Sequence, residues 1–388
     1  WRLRKMVQQV PPTGLSNNRP FRNYIINGDF AIAQRATAAT TAGNGTYTTL
    51  DRWQTYNATD GAYTTARTAL SAADQATTGQ YYAYDIQCST ADSSIGASQY
   101  AFVLQKIEAQ FLQALKFGTS DAQPVTISFY VKSNLTGTTC GFVSKEDSTF
   151  TMCPFEFTIN SANTWERKTA TIPVNDVIQL AASAITYDNG PGISVGFNLA
   201  MGSNLDNGTN LTWEATTAGY ATSNQLNFLS STDNDMFITG VQFEVGSDAT
   251  DFEYLPFDVS LIRCQRYFEV MADGRSAGTG TLSSGDSDED FPGIGSNHNT
   301  QYAYMCLKFA TTKRSAAPSL LTTNDTNHFR LYSDNSNDQL STVFNAGTSS
   351  HHNLTIYFDY GSGSGWAQGS AAFCRLNNAN AFVMVKDE

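Results

Sequence analysis

The sequence predicts an all-β fold, on three observations. Charged residues make up 15% of the 388 residues, and Thr, Ser, Asn, Gly and Tyr are abundant. This composition is low in charge and typical of β-rich proteins. Short apolar or alternating segments recur from residue 21 onward between clusters of Gly, Asn, Asp and Ser. No long helical pattern alternates with these segments, so a parallel α/β architecture is not expected.

The first predicted element is NYIINGDFAIAQR, residues 23–35. Its apolar run ends at Asn27-Gly28, and Phe30 and Ile32 then alternate with small or polar neighbours. This pattern predicts two short strand segments around a turn. Residues 1–20 before it are polar and rich in proline and turn residues, so they are predicted to form an arm and linker.

The segment YAFVLQKIEAQFLQALKFG, residues 100–118, has two interpretations. Its apolar residues follow helical spacing, but Ala101 to Leu104 also suit a buried strand. We predict a strand to about Glu108 and then a short helix that ends near Gly118, where glycine can adopt the left-handed conformation.

A short connector helix is predicted over residues 256–270. Val259, Ile262, Arg263, Arg266 and Tyr267 follow helical spacing after Pro256. A stretch rich in Gly, Ser and Asp comes next, and then further strand-like segments such as QYAYMCLKFA and LTIYFDY. The chain is long enough for two domains, which we place at residues 21–255 and 271–388.

The charge pattern argues against several classes of partner. The net charge is −12 and the isoelectric point is about 4.7, so a nucleic-acid partner and an anionic membrane are not expected. No segment has the length and apolar character of a membrane span. WRLRK at residues 1–5 is the one basic cluster, and we predict that it anchors the chain to a larger particle.

No catalytic, metal or cofactor site is predicted. The four histidines lie in polar contexts, and the sequence lacks a G-x-S-x-G elbow, an H-E-x-x-H motif and a phosphate-binding glycine loop. His351-His352 and the acidic cluster at residues 286–290 are expected to lie in solvated loops. The six cysteines have no zinc spacing, so we predict free thiols in strands and cores.

Several motifs resemble those of phage tail-fibre and virion structural proteins that contain a galactose-binding-like jelly roll. They occur in the family's order across residues 23–269: INGDF, YTTLDRW, QKIE, GTSDAQPVTISFYVKS, TWERKTATIP, ITGVQFEVGSDATDFEYLPF and CQRYFE. KRSAAPSL and the closing AFVMVKDE also resemble the C-terminal β domain of those proteins.

The resemblance implies a jelly-roll β-sandwich, the connector helix and a smaller C-terminal β-sandwich. A jelly roll brings its first and last strands side by side, so NYIINGDF and FITGVQFEVG would close the first domain. Sugar-binding members hold a structural calcium with acidic residues that here correspond to Ala31 and Thr239-Gly240, and this departure argues against the ion.

The resemblance also implies a tail fibre at the virion surface, a homotrimer that attaches the virion to host surface glycans. Its N-terminal arm would contact other virion proteins. A second interpretation is a head fibre or capsid decoration protein with a purely structural role. The missing catalytic motifs argue against an enzyme, so a glycan-hydrolysing fibre is the least favoured interpretation.

Aromatic residues supply the candidate carbohydrate contacts, because sugar sites combine aromatic platforms with a few polar groups. Trp53 and Trp165 lie within the shared motifs and are predicted to be scaffold. Trp213 fits either scaffold or contact. Trp366, in the glycine-rich segment GSGSGWAQGS, is the first candidate contact, with Tyr360 nearby. A subunit interface is the alternative role for Trp366.

Overall fold

The computed structural model describes residues 20–273, 293–322, 329–332, 339–359, 367–376 and 382–387. Strands dominate these residues, which confirms the all-β prediction. No disulfide joins any of the six cysteines, and only Cys306 among them is exposed. None of the described helices is long and apolar enough to cross a membrane.

Two antiparallel sheets form the first part of the chain. Numbered along the chain, the six-stranded sheet has the order β1 (Thr40–Thr41), β3 (Ala62–Ala69), β4 (Tyr82–Thr90), β11 (Asp235–Val245), β6 (Val125–Ser133) and β9 (Glu166–Ile172). The five-stranded sheet has the order β2 (Gln54–Asn57), β5 (Tyr100–Glu108), β10 (Pro191–Met201), β7 (Gly137–Lys145) and β8 (Thr151–Ile159).

The two sheets pack face to face around an aromatic core. Phe197 of the five-stranded sheet lies 4.8 Å from Phe129 of the six-stranded sheet, measured between ring centroids. Trp53 and Phe30 are also fully buried, and their rings are 5.3 Å apart. Inward-facing residues alternate with outward-facing ones along the strands, as a β-sandwich requires.

The segment at residues 23–35 lies beside β11, as the jelly-roll resemblance implies. Tyr24 N donates to Phe243 O at 2.9 Å, and Val241 N donates to Gly28 O at 2.9 Å. The prediction of two short strand segments around a turn was wrong for the strands, because the backbone turns repeatedly and Asn27 and Phe30 have positive φ values. A Cβ at Gly28 would lie 2.1 Å from Val241 O, so this close approach requires glycine.

The segment at residues 100–118 begins as the predicted strand. β5 ends at Glu108, as expected, but the predicted helix is replaced by two 3₁₀ turns, Ala109–Phe111 and Gln113–Leu115. Gly118 has φ +85°, which agrees with its predicted left-handed role. Two further 3₁₀ turns, Ala181–Ser183 and Phe228–Ser230, lie in later loops.

Within the described ranges, three α-helices connect the strands. They are α1 (Ala72–Thr78), α2 (Asp176–Gln179) and α3 (Phe257–Gln265). The last of these confirms the predicted connector helix. It leads directly into β12 (Phe268–Asp273), the first strand of the C-terminal part.

The C-terminal part differs from the predicted sandwich, because six of its strands close into a barrel. The barrel order is β13 (Gly293–Asn297), β14 (Tyr302–Lys308), β18 (Asn353–Asp359), β17 (Gln339–Ser349), β16 (Phe329–Tyr332) and β19 (Ala371–Leu376). A three-stranded sheet beside it has the order β12, β20 (Phe382–Lys386) and β15 (Ser319–Thr322). The predicted domain boundaries remain predictions.

One ion pair connects the sandwich to the residues that follow α3, and a second lies among those residues. Glu108 accepts from Nε and Nη2 of Arg266 at 2.7 and 2.9 Å and also from the Tyr267 hydroxyl. Lys313, whose side chain is fully buried, donates to Glu269 at 2.6 Å and to the Gln265 carbonyl at 2.5 Å. These bonds fix the position of the C-terminal part at the end of β5.

Candidate functional site

A group of aromatic rings on the outer face of the five-stranded sheet is the candidate site. Phe102 on β5 is opposite Tyr56 on β2 in the strand register. Side chains alternate between the two faces of a strand, so Tyr100 and Phe102 share the outer face while Ala101 and Val103 enter the core. The loop after β10 adds Tyr220 to the same cluster.

The four rings lie nearly parallel around Phe102. Its centroid is 4.8 Å from that of Tyr56, 5.4 Å from Tyr100 and 5.6 Å from Tyr220, with interplanar angles between 19° and 30°. Phe102 is 5% exposed, whereas the three tyrosines are partly exposed. We call Tyr56, Tyr100, Phe102 and Tyr220 the tyrosine platform.

Core contacts hold the strands of the platform in register. The Tyr63 hydroxyl, within the sandwich, lies 3.0 Å from Tyr56 O and 2.9 Å from Phe102 O. This hydroxyl therefore links β2 to β5 on the core side of the sheet. Asn198 Nδ2 on β10 donates to Tyr220 O at 2.7 Å and anchors the loop from which that ring projects.

A glycine lets another ring support the platform. Phe142 on β7 lies edge-on to Phe102 and Tyr220, with centroid separations of 5.3 and 5.1 Å. A Cβ at Gly196 would lie 2.4 Å from Phe142 Cζ, so the absence of a side chain at this position makes room for the ring. The platform therefore rests on a fully buried Phe142.

Polar groups border the rings. The Tyr56 hydroxyl donates to Gln54 Oε1 at 3.3 Å. Asn198 Oδ1 is buried beside Tyr220 and has no hydrogen-bond partner in the described part of the chain. Burial raises the pKa of Tyr220, with smaller contributions from Glu146 and the neighbouring tyrosines, so its hydroxyl stays protonated at neutral pH. Flat apolar faces beside donors and acceptors are the groups that a sugar ring requires.

Of the three predicted contact residues, Trp213 alone is described by the structure. Trp213 is 2% exposed and packs edge-on against Phe117 at 5.6 Å, so it belongs to the scaffold and its ring does not reach the surface. Tyr360 and Trp366 lie outside the described residues. Trp53 and Trp165 are buried, as predicted for scaffold.

The positions that correspond to the family's calcium ligands do not suit the ion. Ala31 and Gly240 have no side-chain oxygen, and the Thr239 hydroxyl donates to Tyr82 O at 2.6 Å. A calcium site needs several carboxylate or carbonyl oxygens. No group of three potential metal-ligating side chains occurs within the described ranges. The acidic cluster at residues 286–290 lies outside them.

Sequence patterns did not identify the platform, although one signal was present. In YAFVLQ, residues 100–105, both alternating sets of positions are largely apolar. A strand that is apolar on both faces is either covered on both sides or carries an exposed apolar surface. Tyr56 and Tyr220 are too distant in sequence to be associated with this segment without the sheet order.

No family model and no curated protein matches the sequence. Similar solved structures include a candidate sugar-binding protein from Bacteroides thetaiotaomicron VPI-5482, with TM-score 0.33, 14% identity, and coverage of 57% of this chain and 99% of that chain.

Two others are carbohydrate-binding modules. The family 11 module from Clostridium thermocellum has TM-score 0.28 and 9% identity, with coverage of 55% of this chain and 99% of that one. The tandem CBM22-1-CBM22-2 structure from Paenibacillus barcinonensis Xyn10C has TM-score 0.25 and 10% identity, with coverage of 92% and 99%. At these TM-scores no property of the three proteins is carried over to this chain.

Proposed function

We propose that this chain binds glycans through the tyrosine platform and that it is a tail-fibre protein which attaches a bacteriophage to glycans on its host. The observation that carries the glycan-binding part is the set of three partly exposed tyrosines packed nearly parallel around Phe102. The virion location and the trimer rest on the motif resemblance described above, and the non-enzymatic role rests on the catalytic motifs that the sequence lacks.

The geometry of the platform suits weak recognition at each site. Stacking of a sugar face on one tyrosine ring contributes about 1 kcal/mol beyond the burial of area, which corresponds to roughly fivefold in Kd. A single platform therefore binds weakly, and several copies on one particle would raise the avidity by orders of magnitude. This is the behaviour expected of an adhesin that engages many identical glycans.

The test replaces one platform tyrosine at a time. Tyr56→Ala and Tyr220→Ala should each weaken binding to an oligosaccharide array by roughly fivefold or more and reduce adsorption of particles to host cells. Tyr81→Ala is the matched control, because Tyr81 is 59% exposed and lies outside the platform. The thermal midpoint of each variant checks that the fold is retained.

Two results would reject the platform as the binding site. The first is no binding to any glycan by the unaltered protein. The second is unchanged binding when Tyr56 and Tyr220 are both alanine. Trp366→Ala belongs in the same series, because the sequence makes Trp366 the candidate contact at the C-terminal end. If Trp366→Ala were the only variant to lose adsorption, the glycan-binding site would be assigned to Trp366 instead of the platform.

A structural role as a head fibre or decoration protein is the second candidate. Phe21 and Phe111, which are 57% and 46% exposed, line one groove of about 390 Å³ with Arg263 of α3. Exposed apolar surface of this kind is common at protein–protein contacts. Locating the chain in the intact particle by labelled electron microscopy separates the two roles, because a tail position supports the adhesin and capsid lattice sites support the structural role.

A further inference from the structure

A cleft lies where the five-stranded sheet meets the residues that follow α3. Its volume is about 210 Å³, and its lining includes Tyr47, Lys106, Tyr267 and Arg314. Lys106 is on β5, four residues beyond Phe102, so it shares the outer face with the tyrosine platform. The cleft and the platform are therefore two regions of one continuous surface.

Three cations line this cleft. Arg52 is 3% exposed, its guanidinium lies 3.4 Å from the Tyr267 ring centroid, and it donates to the Lys106 carbonyl at 2.5 Å. Arg314 donates to the carbonyls of Asp387 and Asn189 at 3.0 and 3.4 Å. Both guanidinium groups are thus held in place by carbonyl oxygens or an aromatic face.

Lys106 is a cation of this cleft that has no ion-pair partner among the described residues. It is partly exposed, and no described carboxylate lies within 4.0 Å of its ammonium group. Glu108 is the carboxylate among the residues that line the cleft, but its two oxygens already accept from Arg266 and from the Tyr267 hydroxyl. The three cations therefore line a cleft whose carboxylate, Glu108, is already paired with Arg266.

Such a site is unusual in this chain, whose net charge is −12. Converging cations in a partly enclosed cleft attract anions, and ionised partners form the stronger hydrogen bonds. The distance along β5 from Phe102 to Lys106 is about 13 Å at the rise of an extended strand. A single sugar residue does not span this distance, whereas an oligosaccharide does.

We propose that the cleft lined by Arg52, Lys106 and Arg314 binds the anionic group, a carboxylate or sulfate, of an acidic oligosaccharide whose rings stack on the tyrosine platform. The proposal rests on the glycan-binding function proposed above and specifies its ligand class. Leu104 and Gln54, which are paired in the strand register, lie on the path between the two regions.

The test uses pairs of ligands that differ in charge. Oligogalacturonates and their methyl esters form one pair, and sialyllactose and lactose form the other. Calorimetric titration of the full chain should show at least one acidic member binding about tenfold more tightly than its neutral partner at low salt. This preference should shrink at about 0.5 M salt, because ionic contacts are screened.

Variants then assign the effect to the cleft. Lys106→Met should remove the preference for the acidic member and leave binding of the neutral member unchanged, whereas Tyr56→Ala should weaken both. Arg314→Gln is a second cleft variant if Lys106→Met lowers the thermal midpoint. Lys308→Met is the matched control, because Lys308 is exposed on β14, away from this cleft.

Each outcome bears on one proposal or the other. Equal binding of acidic and neutral members overturns the cleft and leaves the platform standing. The same conclusion follows if Tyr56→Ala weakens binding but Lys106→Met and Arg314→Gln keep the acidic preference. If no member of either pair binds, both proposals fail. In that case, free galacturonate could still raise the thermal midpoint of the unaltered protein but not that of Lys106→Met. This result would show an anion site without a glycan platform and would contradict the proposed oligosaccharide ligand.

Discussion

Replacing Glu108 with Gln tests the connection between the sandwich and the C-terminal part. The Glu108 side chain is 3% exposed and the Arg266 side chain 20% exposed. Glutamine keeps the shape but removes the charge and one acceptor, so an amide N–H would face donors on Arg266 or Tyr267. Removing one partner of a buried ion pair lowers the free energy of unfolding by about 3–5 kcal/mol. Because Arg266 is partly exposed, we expect Glu108→Gln to lower it by about 2–4 kcal/mol.

The effect of Glu108→Gln on the free energy of unfolding should also depend on pH. Burial alone would raise the pKa of Glu108, but hydrogen bonds from Arg266, Tyr267 and Gln110 outweigh it and hold the pKa below its ordinary value of 4.5. A carboxylate whose pKa is depressed by folding stabilises the protein above its unfolded pKa. That stabilisation is lost as the pH falls through the folded pKa.

The assay is urea unfolding of the unaltered protein and the variant at about pH 7 and about pH 3. The difference in unfolding free energy should be largest near neutrality and should shrink as the pH falls below 4.5 towards the depressed pKa of Glu108, because protonation removes the charge that glutamine also lacks. Asp121→Asn is the control, because Asp121 is exposed and its carboxylate has no hydrogen bond to a described residue. A difference below about 1 kcal/mol near pH 7, or one that persists in acid, would refute the reasoning.

Three further variants or measurements test the packing. Phe197→Ala should lower the free energy of unfolding by about 3–5 kcal/mol in urea denaturation, because the ring packs among four other aromatic rings, whereas Phe197→Leu should cost less. Gly196→Ala should cost about 1–3 kcal/mol and weaken glycan binding, because the new Cβ would push against the Phe142 ring. A chromogenic thiol reagent should modify Cys306 quickly and the other five cysteines only after denaturation, since those five are buried and burial raises the pKa of each thiol. Rapid reaction of two or more thiols in the native protein would contradict this last prediction.

Local sequence patterns predicted those elements that local chemistry determines. The helical spacing after Pro256 predicted α3, and alternation predicted most of the strands. The segment at residues 23–35 was harder, because Asn27 replaces a regular strand with side-chain bonds. Its amide donates to the carbonyls of Ile32 and Asp51 and its Oδ1 accepts from Ile32 N. Bonds to a residue as distant as Asp51 leave no local signal.

Barrel closure and the tyrosine platform were not predictable for the same physical reason. A strand in a barrel and a strand in a sandwich show the same alternation, and closure depends on strand number and register between distant segments. The platform similarly requires β2 to pair with β5, and it requires the loop that carries Tyr220 to fold back over β10. The residues were visible in the sequence, but their proximity was not.

The cations near the end of β5 separate into two groups by their partners. Arg266 and Lys313 are each held by a buried carboxylate, Glu108 and Glu269. The Glu108 pair attaches the residues after α3 to β5, and the Glu269 pair stabilises the C-terminal part itself. Lys106 has no such partner among the described residues, so stability does not explain its presence there. We therefore expect Lys106→Met to change the free energy of unfolding by less than about 0.5 kcal/mol, in contrast to Glu108→Gln two residues away.

The same two variants should rank in the opposite order for ligand binding. Lys106→Met should abolish the preference for the acidic oligosaccharide, and Glu108→Gln should retain it wherever the variant is folded, because the cleft cations remain. A large stability loss in Lys106→Met would instead assign its ammonium to the structural group. The cleft would then be part of the interface between the sandwich and the C-terminal strands, and the acidic ligand would lose its principal contact.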